Sequence, residues 1–289
     1  MITLGEGFHR NVPMESYLGN LCPGVSVSGS TLWTLHDSCP AKALSKHYLS
    51  PWAEEDEESA SQDDTAAKAF GSAAHAYLIE GKEVFDAQYA VKPDGMSFAT
   101  KEGKAWRADH QDRRIVTFKE FETITGMANG IVANPAAHNA FSEGEPEVTA
   151  IYQDPETKLW LKVRPDYLRP GLAINYKTTR NAAREPWMRD AWNLGYAVSA
   201  ALCVDVLKAL GQDAHYAFVT QEKAPPYLCA VRVLSDDFLQ GGRMIYRRAL
   251  QRFADCLAAD KWPGFADGVE TIPLPPWADR TLANMESPT

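Results

Sequence analysis

The chain has 289 residues, 45% of them apolar, and a formal net charge of −9, enough for one large globular domain or a domain with an extension. No apolar run approaches the roughly 18 residues a membrane span requires, and residues 1–10 lack a signal-peptide pattern, so a cytoplasmic protein without membrane contact is expected. Cys22, Cys39, Cys203, Cys229 and Cys256 are dispersed and form no C-x-x-C pair; this argues against a disulfide scaffold or a zinc site and for buried, free thiols.

In chain order, residues 1–27 form an irregular N-terminal segment. Ser30 to Leu49 reads as a helix behind a Ser/Gly cap, broken at Pro40. Glu54 to Asp64 holds seven acids and no base, the composition of a solvated or disordered loop, and without it the remainder is close to neutral. Thr65 to Ile79 is a helix with Ala67, Phe70, Ala74 and Leu78 as its apolar stripe, and His75 lies beside that stripe. Lys101 to Gln111 and Phe118 to Ala133 are two further helices. Val148 to Gln153, Leu159 to Leu168 and Leu172 to Thr178 form a strand meander, turning first at Asp154-Pro155-Glu156-Thr157 and then at Arg169-Pro170-Gly171. A long helix is expected from Pro186 to Leu210, with Gly211 at its end. Strands Ala214 to Gln221 and Tyr227 to Leu234 follow, then a helix from Asp236 to Ala259. A domain thus spans residues 28–260, and residues 261–289 are a Pro/Trp-rich tail.

The chemistry concentrates in Arg164-Pro165-Asp166 and Asn175-Tyr176-Lys177. Strand side chains alternate faces, so Asn175 and Lys177 share one face while Ile174 and Tyr176 share the other. The hairpin brings a carboxylate, an amide and a lysine together. Mg²⁺ takes hard oxygen ligands, and a lysine orients or deprotonates an attacking water. The same residues also suit an ordinary surface hairpin. Around them Lys162, Arg164, Arg169, Lys177, Arg180, Arg184 and Arg189 face only Asp166 and Glu185, a local excess of positive charge suited to a phosphate backbone. A second basic stripe, Arg243, Arg247, Arg248 and Arg252, falls at helical spacing and suits either DNA contact or a solvated face.

Several short motifs recur in order: Ser28-Gly29-Ser30, Ser38-Cys39-Pro40, Phe70-Gly71-Ser72-Ala73-Ala74-His75-Ala76, Glu147, Arg164-Pro165-Asp166-Tyr167-Leu168, Lys177-Thr178-Thr179, Gly195-Tyr196 and Gln221-Glu222-Lys223. On these the chain resembles the PD-(D/E)XK nuclease superfamily, and within it the exonuclease VIII (RecE-like) family of phage and prophage exonucleases. The resemblance implies an α/β restriction-endonuclease-like core, a mixed central sheet flanked by helices. It implies Asp166 as principal metal ligand, completed by His75, the side chain of residue 175 and the Tyr176 carbonyl, with Lys177 acting on water. Glu147 is expected in a supporting role, and Arg164, Arg180 and Tyr196 at the DNA.

The same resemblance implies Mg²⁺, with Mn²⁺ as a substitute, and linear double-stranded DNA degraded 5′ to 3′ along one strand for recombination. It further implies a homo-oligomeric ring and a single-strand annealing protein as partner. Two positions depart from the pattern. Asn175 stands where the family has an acid, and Ser199 where relatives usually show Gln. The first removes a negative charge from a site that relies on carboxylates, so weakened metal binding and reduced activity are expected. The alternative is a non-catalytic DNA-end-binding module of the same fold that recruits the annealing partner.

Overall fold

The computed structural model describes residues 2–52, 62–278 and Leu282. Of the expected acidic loop at 54–64, residues 54–61 lie outside the described residues.

The chain opens with β1 (Gly7–His9), α1 (Met14–Leu18) and β2 (Ser26–Val27). Ser28 caps α2 (Gly29–Asp37) by accepting the Thr31 N–H, and Pro40 starts α3 (Pro40–Ser45). Helix α4 (Gln62–His75) runs on into a single π-helical segment, Ala76–Glu80. Then come α5 (Lys82–Gln88), β3 (Tyr89–Lys92), α6 (Lys101–Asp109), β4 (Arg114–Thr117), α7 (Phe118–Ala133) and α8 (Pro135–Ala140). A reciprocal Thr117–Glu120 capping box opens α7. The remaining elements are β5 (Glu145–Pro146), β6 (Thr149–Gln153), β7 (Trp160–Val163), β8 (Tyr167–Arg169), β9 (Leu172–Thr179), α9 (Arg184–Asn193), α10 (Tyr196–Ala209), β10 (His215–Glu222), β11 (Cys229–Val233) and α11 (Asp236–Ala259).

These elements build a mixed α/β fold. One sheet has the order β1-β6-β7-β2 and a second the order β11-β10-β9-β8-β5, while β3 and β4 form a small parallel pair. In the second sheet β9 runs parallel to β10 and antiparallel to β8. Alternation along β9 and β10 divides the interior. Ala173, Tyr216 and Phe218 join a core with α2, α10 and α11, whereas Ile174, Tyr176 and Val219 join one with α4 and α7. Asn175 and Lys177 therefore belong to the α10 face. Among the described residues no helix is long and apolar enough to cross a membrane. All five cysteines are free.

Three expectations change on the structure. The continuous strand Leu159 to Leu168 is two strands in different sheets, because Pro165 has no N–H to give a ladder; β7 ends at Val163 and β8 begins at Tyr167. The long helix Pro186 to Leu210 is two helices, broken at Gly195. That residue has φ +71°, and a Cβ there would lie 2.3 Å from the Trp33 ring, so glycine meets both demands. Finally, residues 1–27 are not simply irregular. Strand β1 pairs with β6 and β2 with β7, and Leu21, Cys22 and Val27 are buried.

Candidate metal centre

The break at Pro165 leaves Asp166 at the entry to β8, where it faces Tyr176 and Lys177 of β9. Asp166 Oδ2 accepts the Tyr176 N–H at 2.7 Å, and Lys177 Nζ stands 3.9 Å from the same oxygen. His75 arrives from the last turn of α4. Its Nε2 lies 3.4 Å from Glu147 Oε1 and 3.6 Å from Asp166 Oδ1, and its Nδ1 is 3.3 Å from Glu80 Oε1. Glu147 sits between β5 and β6 with φ +54°, a backbone state uncommon for a residue with a side chain. Its N–H donates to the Asp166 carbonyl at 3.1 Å.

Arg164 braces this arrangement from behind. Its side chain is only 5% exposed, and the guanidinium lies 3.5 Å from Glu147 Oε2. It also donates to Thr149 Oγ1 and to the Val12 carbonyl, each at 2.8 Å, and stacks over the Tyr17 ring.

The titration of the three groups reflects their mutual contacts. Burial disfavours the charged imidazolium of His75, yet Asp166 and Glu80 outweigh it and raise the pKa to about 10. Burial raises Glu147 to about 7, against the opposing pull of His75. Burial also works against ionised Asp166, but Lys177, His75 and the Tyr176 N–H together hold its pKa below the ordinary range.

His75, Glu147 and Asp166 each offer a ligand atom, and these atoms lie within 4.8 Å of one another. One imidazole and two carboxylates suit a divalent cation. Their contacts with one another, at 3.4 and 3.6 Å, are longer than the usual hydrogen bond, and leave Asp166 Oδ1 and Glu147 Oε1 available.

The structure brings most of the expected site residues together. Asp166, His75, Lys177 and Tyr176 meet as described. Glu147, expected in support, stands among the ligand atoms themselves. Asn175 shares the Lys177 face, and its amide oxygen accepts the Tyr216 hydroxyl at 2.7 Å. Tyr196 stacks on Phe218 and lies 6.0 Å from Lys177 Nζ. Arg164 is largely enclosed, whereas Arg180 is exposed beyond the end of β9. Of the second basic stripe, Arg243 pairs with Asp205 and Arg247 with Asp154 and Glu156; Arg248 and Arg252 line an open groove with Leu35 and His36.

Sequence reasoning missed Glu80 and Tyr216. Glu80 reaches His75 through the π-helical turn, whose geometry has no residue signature. Tyr216 is placed by the parallel β9–β10 register, which only the fold supplies.

Comparison with known proteins agrees with this geometry. The family described as a PDDEXK-like domain of unknown function (DUF3799) matches residues 28–275. The fold is also similar to the crystal structure of a "Putative exonuclease" from Eubacterium rectale, with a TM-score of 0.56 and 13% identity over 89% of this chain and 92% of that one. No curated protein matches significantly. With the match spanning most of its length, the chain belongs to the PDDEXK-like DUF3799 family.

Proposed function

We propose that the chain is a divalent-metal-dependent nuclease acting on linear double-stranded DNA. The observation that carries this reading is the convergence of His75, Glu147 and Asp166 within 4.8 Å, with Lys177 3.9 Å from Asp166. These three residues would hold Mg²⁺ or Mn²⁺, with the Asn175 side chain and the Tyr176 carbonyl as further oxygen donors. A bound cation would supply Lewis acidity and a water of lowered pKa. Asp166 stays ionised at neutral pH because its carboxylate is stabilised by Lys177, His75 and a backbone N–H. Lys177 orients water by hydrogen bonding and opposes the negative charge that develops on the scissile phosphate. The exonuclease VIII resemblance supports 5′-to-3′ degradation of one strand, a recombination role, a ring-shaped homo-oligomer and an annealing partner.

One observation favours a second reading. Asn175 brings no charge, and its oxygen is already engaged by Tyr216; a DNA-end-binding module without catalysis would tolerate that.

Nucleotide release from linear duplex with Mg²⁺ separates the two readings, comparing the chain with Asn175→Asp and Lys177→Ala. The nuclease reading expects Asn175→Asp to be faster by at least about tenfold, and Lys177→Ala to release nothing measurable. If neither the chain nor Asn175→Asp digests DNA while both still bind its ends, the binding module replaces the enzyme.

A further inference from the structure

Among the described residues, the half-buried arginines Arg113, Arg164, Arg169, Arg243 and Arg247 each have a carboxylate oxygen at 3.9 Å or closer. Arg232 of β11 is half-buried too, and its partners are neutral. Its Nη1 donates to Thr220 Oγ1 at 2.5 Å and its Nη2 to the Ala182 carbonyl. The guanidinium stands 4.9 Å over the ring of Trp187, whose buried indole N–H has no acceptor. An arginine has five N–H donors, so three remain. A cation short of both water and a counter-charge is costly. Burial and the nearby Arg184 both disfavour its charge, lowering its pKa from the ordinary arginine value.

The strand register says where this cation points. Arg232 pairs with Phe218, which pairs with Asn175, and Thr220 pairs with Lys177. By alternation Arg232 therefore shares the sheet face of Lys177. A row of rings joins the two: Tyr196 lies 6.0 Å from Lys177 Nζ and stacks on Phe218, and Phe218 meets Trp187 beneath Arg232. Strand β10 lies between β9 and β11, which separates the two cations by roughly 10 Å along the sheet. Glu222, the acid at the end of β10 on this face, is engaged by the Ala182 N–H at 2.8 Å. Exposed Arg180 and Arg184 flank Ala182. The far end of the face thus gathers arginines whose charge the protein leaves unmatched.

We propose that Arg232, with Arg184 beside it, holds a backbone phosphate of DNA other than the scissile one facing Lys177. A guanidinium presents a fork of donors to phosphate oxygens, and a gap of roughly 10 Å is too wide for both cations to share one phosphate. The contact would fix the direction in which the strand leaves the metal centre, over the ring row. The proposal rests on DNA as the ligand, which the nuclease and end-binding readings have in common, and not on hydrolysis.

The test uses the full chain in EDTA, so no hydrolysis intervenes. Fluorescence anisotropy measures its affinity for a linear duplex over a range of salt concentrations, beside Arg232→Gln, Arg232→Lys and Arg184→Gln. Each phosphate contact contributes about 0.9 to the slope of log affinity against log salt. Arg232→Gln is expected to lower the slope by about that amount and to weaken binding about five- to tenfold near 0.1 M salt. Arg232→Lys keeps the charge and should keep the slope, which loss of a purely structural brace would not reproduce. Arg184 is exposed, so Arg184→Gln keeps the test decisive should Arg232→Gln fail to fold; it too should lower the slope. A single uncharged methylphosphonate, stepped through the DNA strand, then locates the contact. The step whose effect vanishes in Arg232→Gln should differ from the one whose effect vanishes in Lys177→Gln. A slope unchanged in the folded variants, or one step shared by Arg232 and Lys177, overturns the proposal while leaving both readings of the metal centre standing. Absence of DNA binding by the unaltered chain overturns it together with them.

Discussion

Asp154 and Asp166 are both enclosed carboxylates close to a cation, and both lie at the end of a strand of the same connected run. Their wiring differs. Asp154 accepts the Thr157 N–H at 2.9 Å and its hydroxyl at 2.8 Å, and it pairs with Arg247 of α11. Every lone-pair direction it needs is closed by the protein. Asp166 has one short bond, from the Tyr176 N–H, while His75 and Lys177 wait at 3.6 and 3.9 Å. A carboxylate that pins a turn is saturated; one that serves a ligand is kept partly free. Distance to the partner, more than burial or charge, tells the two roles apart.

That distinction is broken or sharpened by exchanging each acid for its amide. The largest effect is expected for Asp166→Asn in metal binding. Affinity for Mn²⁺, measured by calorimetry, should fall by at least about a hundredfold. The rise in Tm that metal gives the original chain should disappear, while Tm in EDTA falls only modestly, since the amide keeps the backbone bond and relieves repulsion with Glu147 but gives up the attraction of His75 and Lys177. A large loss of metal-free stability would place Asp166 in the same class as Asp154.

Asp154→Asn is expected to do the converse. Breaking its contact with Arg247 and weakening the turn should cost about 1–3 kcal/mol in urea unfolding, with Mn²⁺ affinity unchanged. An altered metal affinity would erase the contrast.

A smaller effect concerns pH. Burial opposes ionised Asp154, but the Thr157 N–H and Arg247 bring its folded pKa below the ordinary value. For a depressed carboxylate the stabilisation is present above the unfolded pKa, about 4, and is lost as pH falls through the folded pKa. The urea midpoint should therefore drop between about pH 5 and pH 3, and Asp154→Asn should flatten that drop. An equal slope in both proteins would assign the acid sensitivity to other groups.

Much of the site was legible in the sequence because its chemistry sits in residues that also have strong local patterns. The turn Arg169-Pro170-Gly171 and the alternation along Leu172 to Thr178 were enough to place Asn175 and Lys177 on one face. His75 came as a ligand only through the resemblance carried by Phe70 to Ala76, since a place beside the helix stripe suits a packed histidine as well. What escaped depends on backbone placement. Nothing in the residue types at 12, 17 and 19 announces that their carbonyls will hold Arg164 and Lys162. Glu147 earned only a supporting expectation, since its reach to His75 depends on a positive φ and on a bond from its own N–H to Asp166. Pro165 was in view, but a proline inside an apolar run was not used to divide the strand between two sheets.

The passage from β7 to β8 has a mechanical consequence. Three residues, Arg164 to Asp166, link the four-stranded sheet to the five-stranded one, as Glu147 and Val148 do between β5 and β6, and they carry a brace at one end and a ligand at the other. Any sliding of one sheet past the other must stretch or slacken this link. Such a shear would alter the separation of Asp166 from His75 as it shifted the core that both sheets share with α10. The tripeptide is a strain gauge set into the molecule, and its dial is the metal centre.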